Sequence, residues 1–295
     1  CLLIIYTKWI PKLKFSKESF MYLSGFGSKI LIASLLHTIY SNMTTFIIGK
    51  AYTAKDLGFY TRAQSLAAFP SSNISGILQS ETYPVLSKIQ DCNELLIHSY
   101  RKLISMTSMV IFFGMLLLAA LAKPLIVTLL TDKWLDTVIY LQIFCFGYMF
   151  DHICSLNLNI LYVKGYSNLV LKLEFIKKAI SISMILAAIP LGPLAICIAG
   201  TLYTQVAVII NTYYTGRLFG LGYIKQIKDF IKYLICSVLA VSPAYFITFS
   251  SIPNILQLVI GVMLACICYL ILMRNDDSFK EALQLIKKEL SRLKK

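Results

Sequence analysis

Residues 254–273, NILQLVIGVMLACICYLILM, run for twenty positions without a charged side chain. As a helix they rise about 30 Å, the thickness of a bilayer's hydrocarbon core, so the stretch reads as a transmembrane segment. The same template carried back along the chain finds candidates at roughly 20–48, 58–87, 103–122, 134–163, 168–189, 192–215 and 230–250, with residues 1–10 as the end of an earlier span. Short turns built on Pro and Gly, IPLGP at 189–193 and SSIPN at 250–254, make neighbouring helices antiparallel. Composition agrees: the 295 residues are 58% apolar and 14% charged, with a mean hydropathy of +0.73. A soluble domain carries roughly 25% charged residues, so ordinary globular, disordered and fibrous classes are excluded. The fold class expected is all-α integral membrane, with about eight transmembrane helices.

The 28 Lys and Arg against 14 Asp and Glu give +14, which on a soluble protein would suggest a nucleic-acid surface. Their placement points elsewhere. Counted on alternate sides of the spans, 22 fall before the first span, at 88–102, at 164–178, at 217–232 and from Arg274 onward, against four (Lys50, Lys55, Lys123, Lys133) on the other side. That asymmetry is the cytoplasmic bias of membrane proteins, so the C-terminus is expected in the cytoplasm and no nucleic-acid partner is expected. Lys29 and Arg62 belong to neither rim. The chain starts at Cys1 within an apolar run and reads as a piece of a longer protein. Three regions are expected: 1–18, a helix end and basic linker; 19–273, the transmembrane domain; and 274–295, a basic amphipathic tail helix on the cytoplasmic surface. The tail, SFKEALQLIKKELSRLKK, opens with Ser278 and Glu281 in capping-box spacing. The cysteines sit mostly in apolar runs without a Cys-x-x-Cys pair, as small packing residues do.

Polar residues inside spans are costly unless they face protein or water, so their spacing reports what a helix lines. Three stripes recur at three- and four-residue steps: Ser34, His37, Thr38, Ser41, Asn42 and Thr45; Arg62, Ser65, Ser72, Asn73, Gly76 and Gln79, with Pro70 between; and Tyr148, Asp151, Ser155 and Asn159. They fit either a shared hydrated cavity or hydrogen bonding between helices. Arg62 either snorkels to the outer headgroups or offers a forked donor to a phosphate, and Lys29 carries the same two readings on the inner half. His37 and Asp151 are titratable groups at membrane depth, suited to a proton or ion relay or to plain interhelical hydrogen bonds. No phosphate-cradling Gly-rich loop, His-Glu-x-x-His or Gly-x-Ser-x-Gly occurs, so no catalytic residue, metal site or cofactor is expected, and transport would be passive or ion-coupled.

Residues 45–91, TFIIGKAYTAKDLGFYTRAQSLAAFPSSNISGILQSETYPVLSKIQD, resemble the opening of the second half of polysaccharide-transport proteins, the Wzx-type flippases of the multidrug/oligosaccharidyl-lipid/polysaccharide exporter superfamily. The matching elements are Ile48-Gly49-Lys50, Leu57-Gly58-Phe59-Tyr60, Tyr60-Thr61-Arg62-Ala63, the Leu66 to Pro70 step and Tyr83-Pro84-Val85-Leu86-Ser87. Tyr83 stands where the family usually has Phe, and Asp151 with His152 matches no family pattern.

The resemblance implies the second lobe, plus flanking helices, of a two-lobed alternating-access transporter in the bacterial inner membrane. Its implied substrate is an undecaprenyl-pyrophosphate-linked oligosaccharide, with membrane lipids and polysaccharide polymerase components as further partners. On that basis Arg62, Lys29, Ser65, Asn73, Gln79, Asn42 and Asn159 are candidates for the pyrophosphate and glycan cavity, and Asp151 and His37 for ion coupling. A cation-coupled multidrug exporter of the same superfamily is the alternative. An O-antigen polymerase or ligase fits less well, because the longest outer segment is only about a dozen residues around 122–134.

Overall fold

The computed structural model describes residues 42–282 together with Ser16, Lys17, Phe20, Met21, Thr38 and Gln284, the side chains of Ser75 and of 77–81 excepted. Most of the expected first span and half of its stripe (Ser34, His37 and Ser41), with Lys29, lie outside these residues, as does most of the tail. Contacts divide the chain into two compact units, Cys1–Ile47 and Ile48–Lys295.

The second unit is built from the helices α1 (Ala54–Lys88), α2 (Asn93–Ala120), α3 (Ala122–Leu130), α4 (Thr137–Tyr148), α5 (Asp151–Val163), α6 (Ser167–Ala188), α7 (Pro193–Phe219), α8 (Tyr223–Ile247) and α9 (Asn254–Met273). Among the described residues, five segments are long and apolar enough to cross a membrane: α2, the α4–α5 run, α7, α8 and α9. At 35 and 22 residues α1 and α6 have the length, but α1 carries the polar stripe and α6 carries Lys172, Glu174, Lys177 and Lys178. Helices of that composition need protein or water along one side.

Local chemistry sets the helix ends. α1 starts four residues before the expected loop would end, because Thr53 and Asp56 close a capping box: Asp56 N–H donates to Thr53 Oγ1 at 3.2 Å and Thr53 N–H to Asp56 Oδ2 at 3.2 Å. α2 runs down to Asn93, so the charged segment expected to precede that span is a helical extension of it. α7 and α8 meet in a turn where Gly216 lies against Gly222; a Cβ on Gly216 would stand 2.7 Å from the Gly222 Cα, so only glycine lets this turn close.

α8 packs between α2 and α9, α1 lies on α4 and α5, and α7 contacts α4, α5 and α6. The core between α2, α5 and α8 is aromatic, with Phe112 edge-on to Phe150 at 5.5 Å and to Phe230 at 5.7 Å. Connections cluster by sign. Lys164 donates to the Gln90 carbonyl at 2.6 Å, Arg101 grips Asp229 through both carboxylate oxygens at 2.6–3.1 Å, and Lys102 pairs with Glu281 and Lys232 with Asp276. All four basic residues come from the lysine-rich rim, whereas Lys55 meets Asp136 at 3.5 Å at the other end.

The tail helix starts at Asp277, not at Ser278. Its N-cap is Asp276, whose Oδ1 accepts from Phe279 N–H at 3.0 Å, and Glu281 pairs with Lys102 instead of reaching back to the backbone. The carboxylate wins the cap because Lys232 and the Tyr233 hydroxyl also hold it in place. Burial pushes the Asp276 carboxyl up, but these donors outweigh it and leave it below its ordinary value. A depressed carboxylate contributes its stability fully above the ordinary pKa, about 4, and loses it as pH falls through the lowered value. A spin label at Gln284 is therefore expected to stay immobile from pH 8 to pH 5 and to loosen only below about 4. Asp276→Asn should loosen it at every pH. Equal mobility of the two proteins at neutral pH would remove Asp276 from the docking.

Candidate substrate face and coupling site

α1 presents two faces of different character. Tyr60, Ala63, Ala67, Ser71, Thr82 and Leu86 are buried against α4 and α5, while Arg62, Ser65, Phe69, Ser72, Asn73 and Gly76 are exposed along the other side. Arg62 lies eight residues beyond Ala54, about 12 Å along the axis, with its guanidinium 5.9 Å from the Trp134 ring centroid. Trp134 is also edge-on to Phe59 at 5.8 Å. An indole at a helix boundary marks the interfacial level, and its ring holds Arg62 by a cation–π contact. No carboxylate among the described residues pairs with Arg62.

Ser65 and Asn73 share this exposed face and donate back to their own helix, Ser65 to the Thr61 carbonyl at 2.8 Å and Asn73 to the Phe69 carbonyl at 2.6 Å. Such bonds satisfy a hydroxyl or amide in an apolar setting and leave its acceptor oxygen for a ligand. The Gln79 side chain lies outside the described residues. Asn42, in the first unit, donates to the Thr38 carbonyl at 2.8 Å. Phe69 is 72% exposed in the midst of this stripe, one residue before Pro70, which removes a backbone donor and can bend the helix.

The third stripe is not continuous with this face. The expected span 134–163 breaks at Met149 and Phe150, and its polar residues face the buried side of α1 instead. Gln64 donates to the Tyr148 hydroxyl at 3.3 Å, and Ser71 Oγ lies 3.1 Å from the Tyr148 carbonyl and 3.4 Å from Asp151 Oδ2. Asn159, 1% exposed, donates to Thr82 Oγ1 at 3.0 Å. Asn159 is therefore a tie between α1 and α5, and the structure does not bring it to the Arg62 face. On the far side of the break, Thr201 Oγ1 donates to the Ile143 carbonyl at 3.1 Å, and Gly147 admits Thr201 so closely that a Cβ there would meet its Oγ1 at 3.2 Å. A helix interrupted at membrane depth is tolerated where neighbouring hydroxyls take up carbonyls near the break, as Ser71 and Thr201 do here. Asp151 heads the second half-helix with Ser71 beside it.

Several polar residues that matter were not legible in the stripes. His152 is buried, with its Nε2 2.8 Å from Ser108 Oγ and its ring edge-on to Phe112 at 5.4 Å. Asn157, Thr215 and Gln226 form a buried cluster joining α5, α7 and α8: Asn157 and Gln226 exchange amide hydrogen bonds at 2.9 and 3.0 Å, and Thr215 donates to Asn157 Oδ1 at 2.7 Å. Gln226 also donates to the Leu221 carbonyl at 2.8 Å and accepts from the Tyr100 hydroxyl of α2 at 3.3 Å. Lys177, counted among the rim lysines by sequence, is only 4% exposed and pairs with Glu174 one turn before it at 2.5 Å. Such a pair at i, i+3 is readable from the spacing alone, but its burial is not.

Residues 1–139 match the family model described as polysaccharide biosynthesis protein. Among curated relatives, the chain is 30% identical over 160 residues to an uncharacterized membrane protein in the cps region of Klebsiella pneumoniae, a match covering 54% of this chain and 33% of that one. It is 25% identical over 202 residues to the lipopolysaccharide biosynthesis protein WzxC of Escherichia coli K12, covering 68% and 40%. To the teichuronic acid biosynthesis protein TuaB of Bacillus subtilis it is 23% identical over 162 residues, covering 55% and 34%. The chain thus spans well under half the length of these relatives. Among solved structures, the lipid II flippase MurJ in an inward closed conformation superposes with a TM-score of 0.66 over 93% of this chain and 59% of that one, at 18% identity, so the fold is shared. In its family match over residues 1–139, its relatives and the motifs of residues 45–91, the chain is similar to the polysaccharide-transport, Wzx-type proteins.

Proposed function

We propose that the chain is the second lobe, with flanking helices, of a flippase that carries an undecaprenyl-pyrophosphate-linked oligosaccharide across the bacterial inner membrane by alternating access, with its C-terminus in the cytoplasm. It is a transporter and not an enzyme. The observation that carries this reading is the exposed face of α1, where Arg62 stands at interfacial level without a carboxylate partner among the described residues, above Ser65 and Asn73. A sugar head group needs a polar wall, its pyrophosphate needs a cation, and the polyprenyl tail can stay in lipid. A guanidinium supplies forked donors that fit phosphate oxygens. Asp151, at the head of a half-helix and beside Ser71, is suited to couple a proton or cation to movement of α1 against α5.

The test is complementation. A strain lacking its own polysaccharide flippase should regain surface glycan when given the longer protein that contains this chain, and undecaprenyl-linked oligosaccharide should stop accumulating in its inner membrane. Drug resistance without glycan export would turn the reading to a multidrug exporter. A reporter fused after Lys295 should be active only in the cytoplasm.

A further inference from the structure

Where α7 gives way to α8 there is a groove remote from the polar face of α1. Ile209, Tyr213 and Arg217 stand four residues apart on one exposed face of α7, and Tyr223, Ile224 and Lys225 open α8 beside them, lining an open groove of about 710 Å³. From Arg217 to Ile209 the wall extends eight residues along the helix, about 12 Å, passing from cation through phenol to aliphatic side chain. The turn that brings the two halves together exists because Gly216 and Gly222 are in backbone contact. Arg101, Lys102, Lys177 and Lys232 each have a carboxylate partner, whereas among the described residues Arg217 and Lys225 have none. Both lie at the end that the Lys and Arg bias assigns to the cytoplasmic leaflet.

Two unpaired cations at the mouth of an apolar slot match one kind of molecule, a headgroup phosphate with a hydrocarbon chain below it. A zwitterionic lipid would bring its own cation against Arg217, and a soluble phosphate would leave the slot unfilled. We propose that this groove binds an anionic phospholipid of the cytoplasmic leaflet, with its phosphate between Arg217 and Lys225 and one acyl chain along Tyr213 and Ile209. The lipid would fix the α7–α8 turn at the membrane surface and so steady α8, which carries Gln226 and Asp229.

The protein is purified in a neutral detergent, stripped of lipid, and titrated with phosphatidylglycerol, phosphatidylcholine or inorganic phosphate while bound lipid is counted by native mass spectrometry. Phosphatidylglycerol is expected to bind in preference to phosphatidylcholine and to raise the melting temperature, with no response to phosphate. Each cation should contribute about fivefold in affinity, so Arg217→Gln with Lys225→Gln should weaken binding about 25-fold. Lys228→Gln, outside the groove, should leave it unchanged. A tryptophan introduced as Ile209→Trp, with both cations intact, should be quenched by brominated phosphatidylglycerol and less by brominated phosphatidylcholine, a reading independent of whether the double variant folds. Equal binding of the two lipids, undiminished binding by the double variant, or a phosphate response matching that of the lipid would each overturn the proposal.

Discussion

Arg62→Ala in the full-length protein is expected to lower glycan export at least tenfold while leaving the amount of folded protein in the membrane unchanged. The two halves of that result follow from the surroundings of one side chain. Arg62 is exposed, and its contact is the Trp134 ring at 5.9 Å, an interaction contributing about 0.5–1 kcal/mol at exposed sites, so folding loses little. A hydrogen bond from a charged group to a phosphate contributes about 1.5–3 kcal/mol, which is a factor of roughly 10 to 100 in binding or turnover. Arg62→Lys keeps the charge without the fork and should fall between the two. Trp134→Ala tests the alternative, since a residue serving only as an interfacial anchor would tolerate either change. Accumulation of lipid-linked oligosaccharide in the inner membrane is the measurement, normalised to protein in the membrane. Export by Arg62→Ala at the unmodified rate would leave Arg62 as a snorkelling residue and move the search for the pyrophosphate partner to Lys29.

Gln226→Leu is expected to act the other way, destabilising the fold by about 2 kcal/mol without touching the substrate face. The substitution would remove one partner each from the Asn157 amide, the Leu221 carbonyl and the Tyr100 hydroxyl in a fully buried site, while Asn157 keeps Ile153 and Thr215 and the Leu221 carbonyl keeps Thr215. Each buried polar group stranded in this way costs about 1–3 kcal/mol. Because Asn157 and Gln226 serve each other, Asn157→Leu added to Gln226→Leu should cost less than the sum of the two single changes. Thermal unfolding in detergent measures both. A single variant that loses under 1 kcal/mol, or strict additivity, would show that water or the neighbouring side chains replace Gln226 at these groups.

The parts of the fold that hydropathy made legible are those in which a long apolar run has one physical solution. α9 coincides with the expected 254–273, α6 and α7 lie close to 168–189 and 192–215, and the basic segments do come together at one end. The interruption at Met149 and Phe150 was not legible, because residues 134–163 contain no proline and read as one long, mostly apolar run. The hydroxyls that take up carbonyls beside it, Ser71 and Thr201, come from α1 and α7. The capping box at Thr53 and Asp56 is local and readable, yet hydropathy alone started this span at residue 58. Ser278 and Glu281 had the right spacing for a cap and lost it to Asp276, since Lys232 and Tyr233, far away in sequence, hold that carboxylate in place.

By itself the sequence determined that this chain crosses a membrane many times, which end carries the lysines, that α1 has a polar stripe with Arg62 on it, and which family it resembles. These follow from length, periodicity and charge, properties that a helix keeps wherever it is placed. Only the tertiary structure decided which polar residues remain available. Three-residue spacing alone does not distinguish a side chain that meets a ligand from one that meets the next helix. Packing exposes Ser65 and Asn73 beside Arg62 and spends Asn159 on Thr82. It sets Asp151 against Ser71 at a broken helix, buries Lys177 with Glu174, and joins Asn157, Thr215 and Gln226 into a cluster across helices far apart in sequence. Burial is a property of the neighbours a residue acquires, and those neighbours come from elsewhere in the chain.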